Sequence, residues 1–285
     1  LLQQYLPMKK NLVLLACLVS LLSHSQYYYQ DVVGVADLQR RMSSYVSAGV
    51  KSATATGYDA RGAKTTDFNE WQEVLNDGRM LKITSRNGQA VSRQYYSFDD
   101  AGRLKSLRDS SKDIETRTDY EYGSSNRLEK VKITVTDSMQ EFNKNEERFY
   151  HYNNAGKLLK MVRVVNGVDT SAYDFLLDES GNVSEEKLYR ITNSADPVYY
   201  YYDDANRLTD IVRYNKRLKR LLPDVMFEYD DEGRVIQRIT IVSTIQPDYL
   251  TWRYIFDEKG LKTKEAMFNK DKVLQGRIEY NYRFE

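Results

Sequence analysis

The chain has 285 residues and carries 42 Lys and Arg against 41 Asp and Glu, a formal net charge of +1. That balance excludes the basic excess of a dedicated nucleic-acid binder. A 41% apolar fraction with 24 Tyr against 9 Phe and 2 Trp describes elements that bury one face and wet the other, because tyrosine buries its ring and keeps its hydroxyl in water.

The first element is a leader. Met8-Lys9-Lys10 is followed by an apolar run from Leu12 to Leu22 and then by Ser23-His24-Ser25-Gln26. A positive start, a short apolar stretch and small residues before a cut define an export signal. The apolar run falls short of the roughly 20 residues that span a bilayer. Residues 1–25 are therefore assigned to an upstream extension and a signal peptide, cleaved after Ser25. Leu14-Leu15-Ala16-Cys17 offers a competing lipoprotein box, and lipid on Cys17 is the one route by which the sequence would tie the chain to a membrane. The apolar run continues past Cys17, which favours simple cleavage. Cys17 is the only cysteine, so a mature chain starting at Gln26 holds no disulfide and no Cys-based metal site.

Residues 26–49 form a second segment. Leu38, Met42, Tyr45 and Val46 recur at helical spacing, with Asp37 placed as an N-cap and Gly49 as a left-handed terminator. The spacing predicts a helix over 37–48 that covers the first edge of a sheet, since bare strand edges invite pairing with other chains.

Residues 50–285 are repetitive. Tyr229-Asp230-Asp231-Glu232-Gly233-Arg234-Val235 matches Tyr202-Asp203-Asp204-Ala205-Asn206-Arg207-Leu208 and Phe98-Asp99-Asp100-Ala101-Gly102-Arg103-Leu104. The turn residue falls at Gly78, Gly102, Asn126, Gly156, Gly181, Asn206, Gly233 and Gly260, a spacing of 24 to 30 residues. Each unit reads as a hairpin whose three-residue loop is a type I turn plus a left-handed residue, which selects Gly or Asn. This turn predicts cross-strand partners, among them Val74–Met80, Phe98–Leu104, Tyr152–Leu158 and Tyr229–Val235. Asn87-Gly88 and Asn166-Gly167 supply return turns. The expected fold is all-β: an antiparallel meander of about eight hairpin repeats, coiled or spiral, with one N-terminal capping helix and a last strand around Tyr280 and Tyr282 left unpartnered.

The pattern Tyr-x-Tyr-Asp-x-x-Gly-Arg-Leu, best matched by Phe227 to Val235, resembles the YD repeats of Rhs and teneurin-type proteins. The resemblance covers about Tyr58 to Tyr282. It implies a β-spiral, a surface or periplasmic interaction role, and no assigned reaction.

Little in the residues points to catalysis. His151 is the one histidine after the leader, and it occupies the position of Glu121 and Glu228 in other repeats, a solvent face. A lone histidine gives no triad. The acid pairs Asp99-Asp100, Asp203-Asp204 and Asp230-Asp231 stand where a turn wants Asp for local hydrogen bonds, which accounts for them without a metal or a glycosidic bond. Lys216, Arg217, Lys219 and Arg220 form the densest basic run, a candidate polyanion site or else a solvated loop. The tyrosine ladder could stack on sugars, or else form the core. The sequence thus predicts an exported, non-enzymatic structural or interaction protein of the bacterial envelope, periplasmic or on the cell surface. No cofactor, metal or nucleic acid is expected, and the partner would be a protein or glycan. A glycan- or polyanion-binding module is the alternative, with a polysaccharide-acting enzyme behind it.

Overall fold

The computed structural model describes residues 26–111, 113–139, 142–189, 196–243 and 248–284. The leader, its cut after Ser25 and the lipoprotein reading of Cys17 lie outside the described residues, apart from Gln26 itself. A π-helical turn, Tyr28–Val33, runs directly into α1 (Gly34–Ser47). Eighteen strands follow. They are β1 (Val50–Asp59), β2 (Lys64–Leu75), β3 (Met80–Asn87), β4 (Ala90–Phe98), β5 (Leu104–Ser111) and β6 (Ile114–Tyr122). Then come β7 (Leu128–Asp137), β8 (Asn143–Tyr152), β9 (Leu158–Val165), β10 (Asp169–Leu177), β11 (Val183–Tyr189) and β12 (Val198–Tyr202). The last are β13 (Leu208–Asn215), β14 (Arg220–Tyr229), β15 (Val235–Ser243), β16 (Asp248–Phe256), β17 (Lys262–Phe268) and β18 (Leu274–Phe284).

Every strand pairs antiparallel with its sequence neighbours, and β1 pairs with β18 as well as with β2. The sheet is a closed 18-stranded barrel. This corrects the open coil or spiral expected from the repeats. Left open, β1 and β18 would each present a row of unpaired N–H and C=O groups, and joining them satisfies both. The seam is shaped for it: Ala53 faces Tyr282, Ala55 faces Tyr280 and Gly57 faces Ile278. Small residues on β1 leave room for the rings of β18. A Cβ on Gly57 would stand 2.6 Å from Thr65 Cγ2. The last strand is partnered, against the sequence expectation.

The helix is also reassigned. It begins nine residues before Asp37 and does not cover an edge, for the closed sheet has none. Its side chains and backbone meet β2 through Tyr45 and Gln72, β5 through Gln39 and the Leu104 N–H, and β8 through Asp31 and Arg148. They meet β11 through Glu186, β14 through Asp224 and β18 through Tyr282. One helix that touches strands all round a closed sheet lies inside it, as a plug. Its apolar residues pack in two groups: Tyr27, Tyr28, Tyr29, Val32 and Val33 pack on Val131, Met161, Phe175, Tyr200 and Phe227, whereas Val35, Met42 and Tyr45 pack on Leu81, Ile83, Phe98 and Leu104. The polar residues Asp37, Arg40, Ser43 and Ser47 recur at helical spacing on the remaining face and stay exposed. Asp37 is no cap but pairs with Arg40 one turn on. Gly49, at φ 73, does end the helix and turns the chain into β1.

The repeat turns form one rim. Gly102, Asn126, Gly156, Gly181, Asn206, Gly233 and Gly260 all have φ between 59 and 79. In the turn at Asp230 the backbone N–H of Gly233 donates to the Asp230 carbonyl, and the Asp230 carboxylate accepts from the backbone N–H and Nε of Arg234. Phe98 faces Leu104, Tyr122 Leu128, Tyr152 Leu158, Leu177 Val183, Tyr202 Leu208, and Tyr229 Val235. The first hairpin differs: Leu75, not Val74, faces Met80, because Asn76 and Asp77 both turn left-handed ahead of Gly78. Between repeats the ladder stops short of this rim, and a tyrosine hydroxyl bridges the gap. Tyr122, Tyr152, Tyr202, Tyr229 and Tyr282 donate to the carbonyls of Leu104, Leu128, Val183, Leu208 and Lys262. Guanidinium groups of the preceding turn stack on these rings, with Arg103 over Tyr122 and Arg207 over Tyr229, each at 4.9 Å.

Candidate functional site

Two places combine unusual chemistry with fixed geometry, the lumen around the plug and the rim with its connecting turns. In the lumen, β8 alternates Glu146, Arg148 and Tyr150 inward and Glu147, Phe149 and His151 outward, the strand period of two. Arg148 is the centre. Its Nη1 donates to both carboxylate oxygens of Asp31, at 2.9 and 2.7 Å, and its Nε donates to Glu146 at 2.8 Å. Arg163 on β9 donates to the other Glu146 oxygen at 2.7 Å, and the Tyr150 hydroxyl donates to Asp31. The Tyr27 ring lies under the Arg148 guanidinium at 4.6 Å. Burial pushes the Glu146 carboxyl up, but the Arg163 hydrogen bond and the Arg148 charge outweigh it and hold the group at about 2. Burial and the Asp31 charge push the Tyr150 phenol well above its usual value. These groups tie the plug to the wall at β8 and β9.

Glu186 on β11 is the second lumenal acid, 0% exposed. Its two oxygens accept the backbone N–H groups of Tyr27 and Tyr28, each at 3.1 Å, and one also accepts the Tyr200 hydroxyl at 2.8 Å. Burial pushes its pKa up, against the lowering effect of those donors. A third contact, from Gln26 Nε2 to Asp224 at 3.0 Å, lies beside the Arg213–Asp224 ion pair. Sequence reading missed Asp31, Glu146, Arg148, Arg163 and Glu186 altogether. Their one local sign is a charge at a position where the strand alternation asks for an apolar residue, as Glu146 and Arg148 do beside Tyr150.

The residues singled out from sequence are scattered over the exterior. Lys216, Arg217, Lys219 and Arg220 are all exposed on the β13–β14 connection, at the rim opposite the repeat turns. Lys216 lies 3.1 Å from Asp196, and Lys219 has φ 52. His151 is exposed on the outer wall. Asp99, Asp203 and Asp230 serve their own turns, each carboxylate taken by the Arg four residues on. Their pKa values are lowered: those bonds and charges outweigh the opposing effect of burial. The partners Asp100, Asp204 and Asp231 do not converge with them on a ligand. Among the described residues, no three His, Cys, Asp or Glu side chains are grouped to hold a metal ion. The tyrosine ladder faces the plug and forms core, Tyr200 on β12 included, whereas its strand neighbours Tyr199 and Tyr201 face outward. There they border a shallow groove with Asp178, Asn182, Glu185 and Asp203.

The outer wall carries cross-strand ion pairs whose lysines stand third in their strands, toward the repeat-turn rim: Glu73 with Lys82 at 2.6 Å, Lys130 with Glu147 at 2.7 Å and Lys264 with Glu279 at 3.7 Å. Arg117 and Asp119 pair along β6. Interior and exterior together define the class: a closed antiparallel barrel with a helical plug and an outer wall that mixes ion pairs with exposed apolar residues such as Trp71, Leu176 and Ile255.

No family model and no curated protein matches the chain. Similar solved structures include a porin-like protein from Bacteroides uniformis, at 11% identity and TM-score 0.41, covering 82% of this chain and 98% of that one. A porin-like protein from Bacteroides vulgatus follows at 12% identity and TM-score 0.29 over the same shares. The toxin component TcdB2-TccC3 gives 12% identity and TM-score 0.30, covering 78% of this chain and 15% of that one. Likenesses this distant carry no argument about function or location. The resemblance to YD-repeat proteins is overturned: the hairpins close into a barrel around a plug, and no family model supports the membership.

Proposed function

We propose that this protein is an exported, non-enzymatic interaction scaffold of the bacterial envelope, and that its barrel stands in water. The observation behind this reading is the outer wall. A barrel that spans an outer membrane shows lipid an apolar band about 25 Å tall, where a charge at mid-depth costs roughly 2–4 kcal/mol. Here Arg117, fourth of nine residues in β6, and Lys82, Lys130 and Lys264, each third in its strand, put charge on the outer wall of four separate strands, each with an acidic neighbour. The lumen meanwhile is occupied by the chain's own helix, and its charged groups are spent on holding that helix. Binding is left to the exterior. Fractionation of cells that export the protein tests the reading: it is expected in the soluble periplasmic or secreted fraction without detergent. Recovery as a heat-modifiable, detergent-requiring outer-membrane protein would overturn it.

A second reading, glycan binding, is favoured by the groove at β12, where the exposed ring of Tyr201 and the half-buried ring of Tyr199 stand beside Asp178, Asn182 and Asp203. Rings flanked by amide and carboxylate groups suit a sugar's apolar face and its hydroxyls. A glycan array with wild type and Tyr201→Ala separates the readings, since binding that survives the substitution sinks this one.

A further inference from the structure

The plug begins inside the barrel. Gln26 is 1% exposed, and its Nε2 donates to Asp224 while its Oε1 has no partner. The next two backbone N–H groups, those of Tyr27 and Tyr28, converge on Glu186. The first four N–H groups of a helix point the same way and lack intrahelical acceptors. The backbone nitrogen of Gln26, whose carbonyl accepts the Gln30 N–H, belongs to that ring and is one residue from the Tyr27 donor and two from the Tyr28 donor. Glu186 is the anomaly. It is fully buried with three neutral donors, and no Lys or Arg pairs with it among the described residues. The other buried acids each have a cation: Asp31 and Glu146 have Arg148, and Asp224 has Arg213. A buried carboxylate without a countercharge costs several kcal/mol.

We propose that the missing cation is the α-ammonium of Gln26, generated when the leader is removed. The inference rests on the export reading and deepens it. A peptidase of the export route adds one water across the Ser25–Gln26 bond. The carbonyl carbon of Ser25 keeps the hydroxyl oxygen as a carboxylate, and the Gln26 nitrogen, released from the amide, becomes an ammonium. An amide nitrogen at this point donates one neutral hydrogen bond; an ammonium brings a full charge beside Glu186, while Asp224, which accepts from the Gln26 side chain, already has Arg213. Asp31, further along the plug, is already neutralised by Arg148. The same docking keeps the Gln26 side chain on Asp224 and away from its own amine, which blocks cyclisation to the lactam. Leader removal would thus complete the lumen, and the plug would seat fully only in the processed chain.

The test takes the exported protein, reads its N-terminus by mass spectrometry, and labels it at neutral pH with an amine-selective reagent before and after denaturation. The expected N-terminus is Gln26 with its side-chain amide intact, and its amine should label at least about tenfold more slowly in the native state, as one unit of raised pKa requires. Glu186→Gln should remove most of that protection and lower the melting temperature. If that variant does not fold, the native-to-denatured ratio in wild type decides by itself. An N-terminus upstream of Gln26 overturns the export reading together with the inference. An N-terminus at Gln26 whose amine labels equally fast in both states, or is lost to the lactam, overturns the inference alone.

Discussion

Replacing Arg148 with alanine removes the residue that ties the plug to the wall. Its guanidinium makes two hydrogen bonds to Asp31 and one to Glu146, and both carboxylates are buried. Breaking a buried ion pair by deleting one partner costs about 3–5 kcal/mol, because the remaining charge stays desolvated and unpaired. Glu146 keeps Arg163, so the loss falls mostly on Asp31. For a protein of this size each kcal/mol moves the melting temperature by about 2–4 °C, which places the drop at roughly 6–20 °C. Acid behaviour gives an independent check. Glu146 sits at about 2 in the folded protein, below its unfolded value, so its contribution is present above the usual glutamate range and is lost as pH falls through about 2. The Arg148→Ala protein should lose part of that contribution and be less sensitive to acid between pH 4 and 2. Thermal melts by circular dichroism across that range measure both effects. A pairing energy near zero in a double-mutant cycle with Asp31→Asn, or a melting shift under about 2 °C, the effect of less than 1 kcal/mol, would refute the account of the plug as anchored through this pair.

Deleting residues 182–206, which would be harmless in an open array of hairpins, should here remove two strands together with Glu186 and Tyr200. The protein is expected to aggregate or unfold, and a soluble, monomeric deletion variant with native far-ultraviolet dichroism would argue against closure. Gly233→Val should cost about 1–3 kcal/mol from backbone strain alone, since φ is 77 and a Cβ there would meet nothing within 4 Å. Glu232→Val, one residue away, should melt within about 0.5 kcal/mol of wild type, the usual range for a surface substitution. The quadruple Ala variant of Lys216, Arg217, Lys219 and Arg220 should elute earlier from heparin if the connection holds polyanions; unchanged elution leaves it a solvated loop.

The hairpins were legible from sequence because their causes are local. An Asp three residues ahead of a Gly or Asn fixes a turn, and the turn fixes the register of Phe98 with Leu104 or Tyr229 with Val235. Leu75–Met80 escaped because Leu75 stands where the other turns place Asp, Asn or Gly, and the left-handed residues shift to Asn76 and Asp77. Closure was illegible for the opposite reason. Whether Ala53 meets Tyr282 depends on the summed curvature of all the strands between them, and no single hairpin encodes that sum. The plug left a sign as well: Tyr27, Tyr28, Tyr29, Val32, Val33 and Val35 crowd apolar side chains around most of a short helical stretch, which suits a buried helix better than a cap. The charges of Arg148 and Glu186 acquire meaning only beside partners more than a hundred residues away, and no spacing rule connects them.

The position of the plug also constrains how the molecule can be assembled. The helix leaves the ribosome before any strand, and the contacts that hold it are spread over β2, β5, β8, β11, β14 and β18. Each hairpin can form by itself, a microsecond event, and then settle against the helix. The pairing of Val50 with Phe284 joins the two ends of the sheet, carries the largest loop-closure entropy in the structure, and must come last. A wall that shut before its helix was seated would exclude it for good. The wall therefore has to be wrapped around the plug, with the helix serving as the mandrel on which eighteen strands are wound.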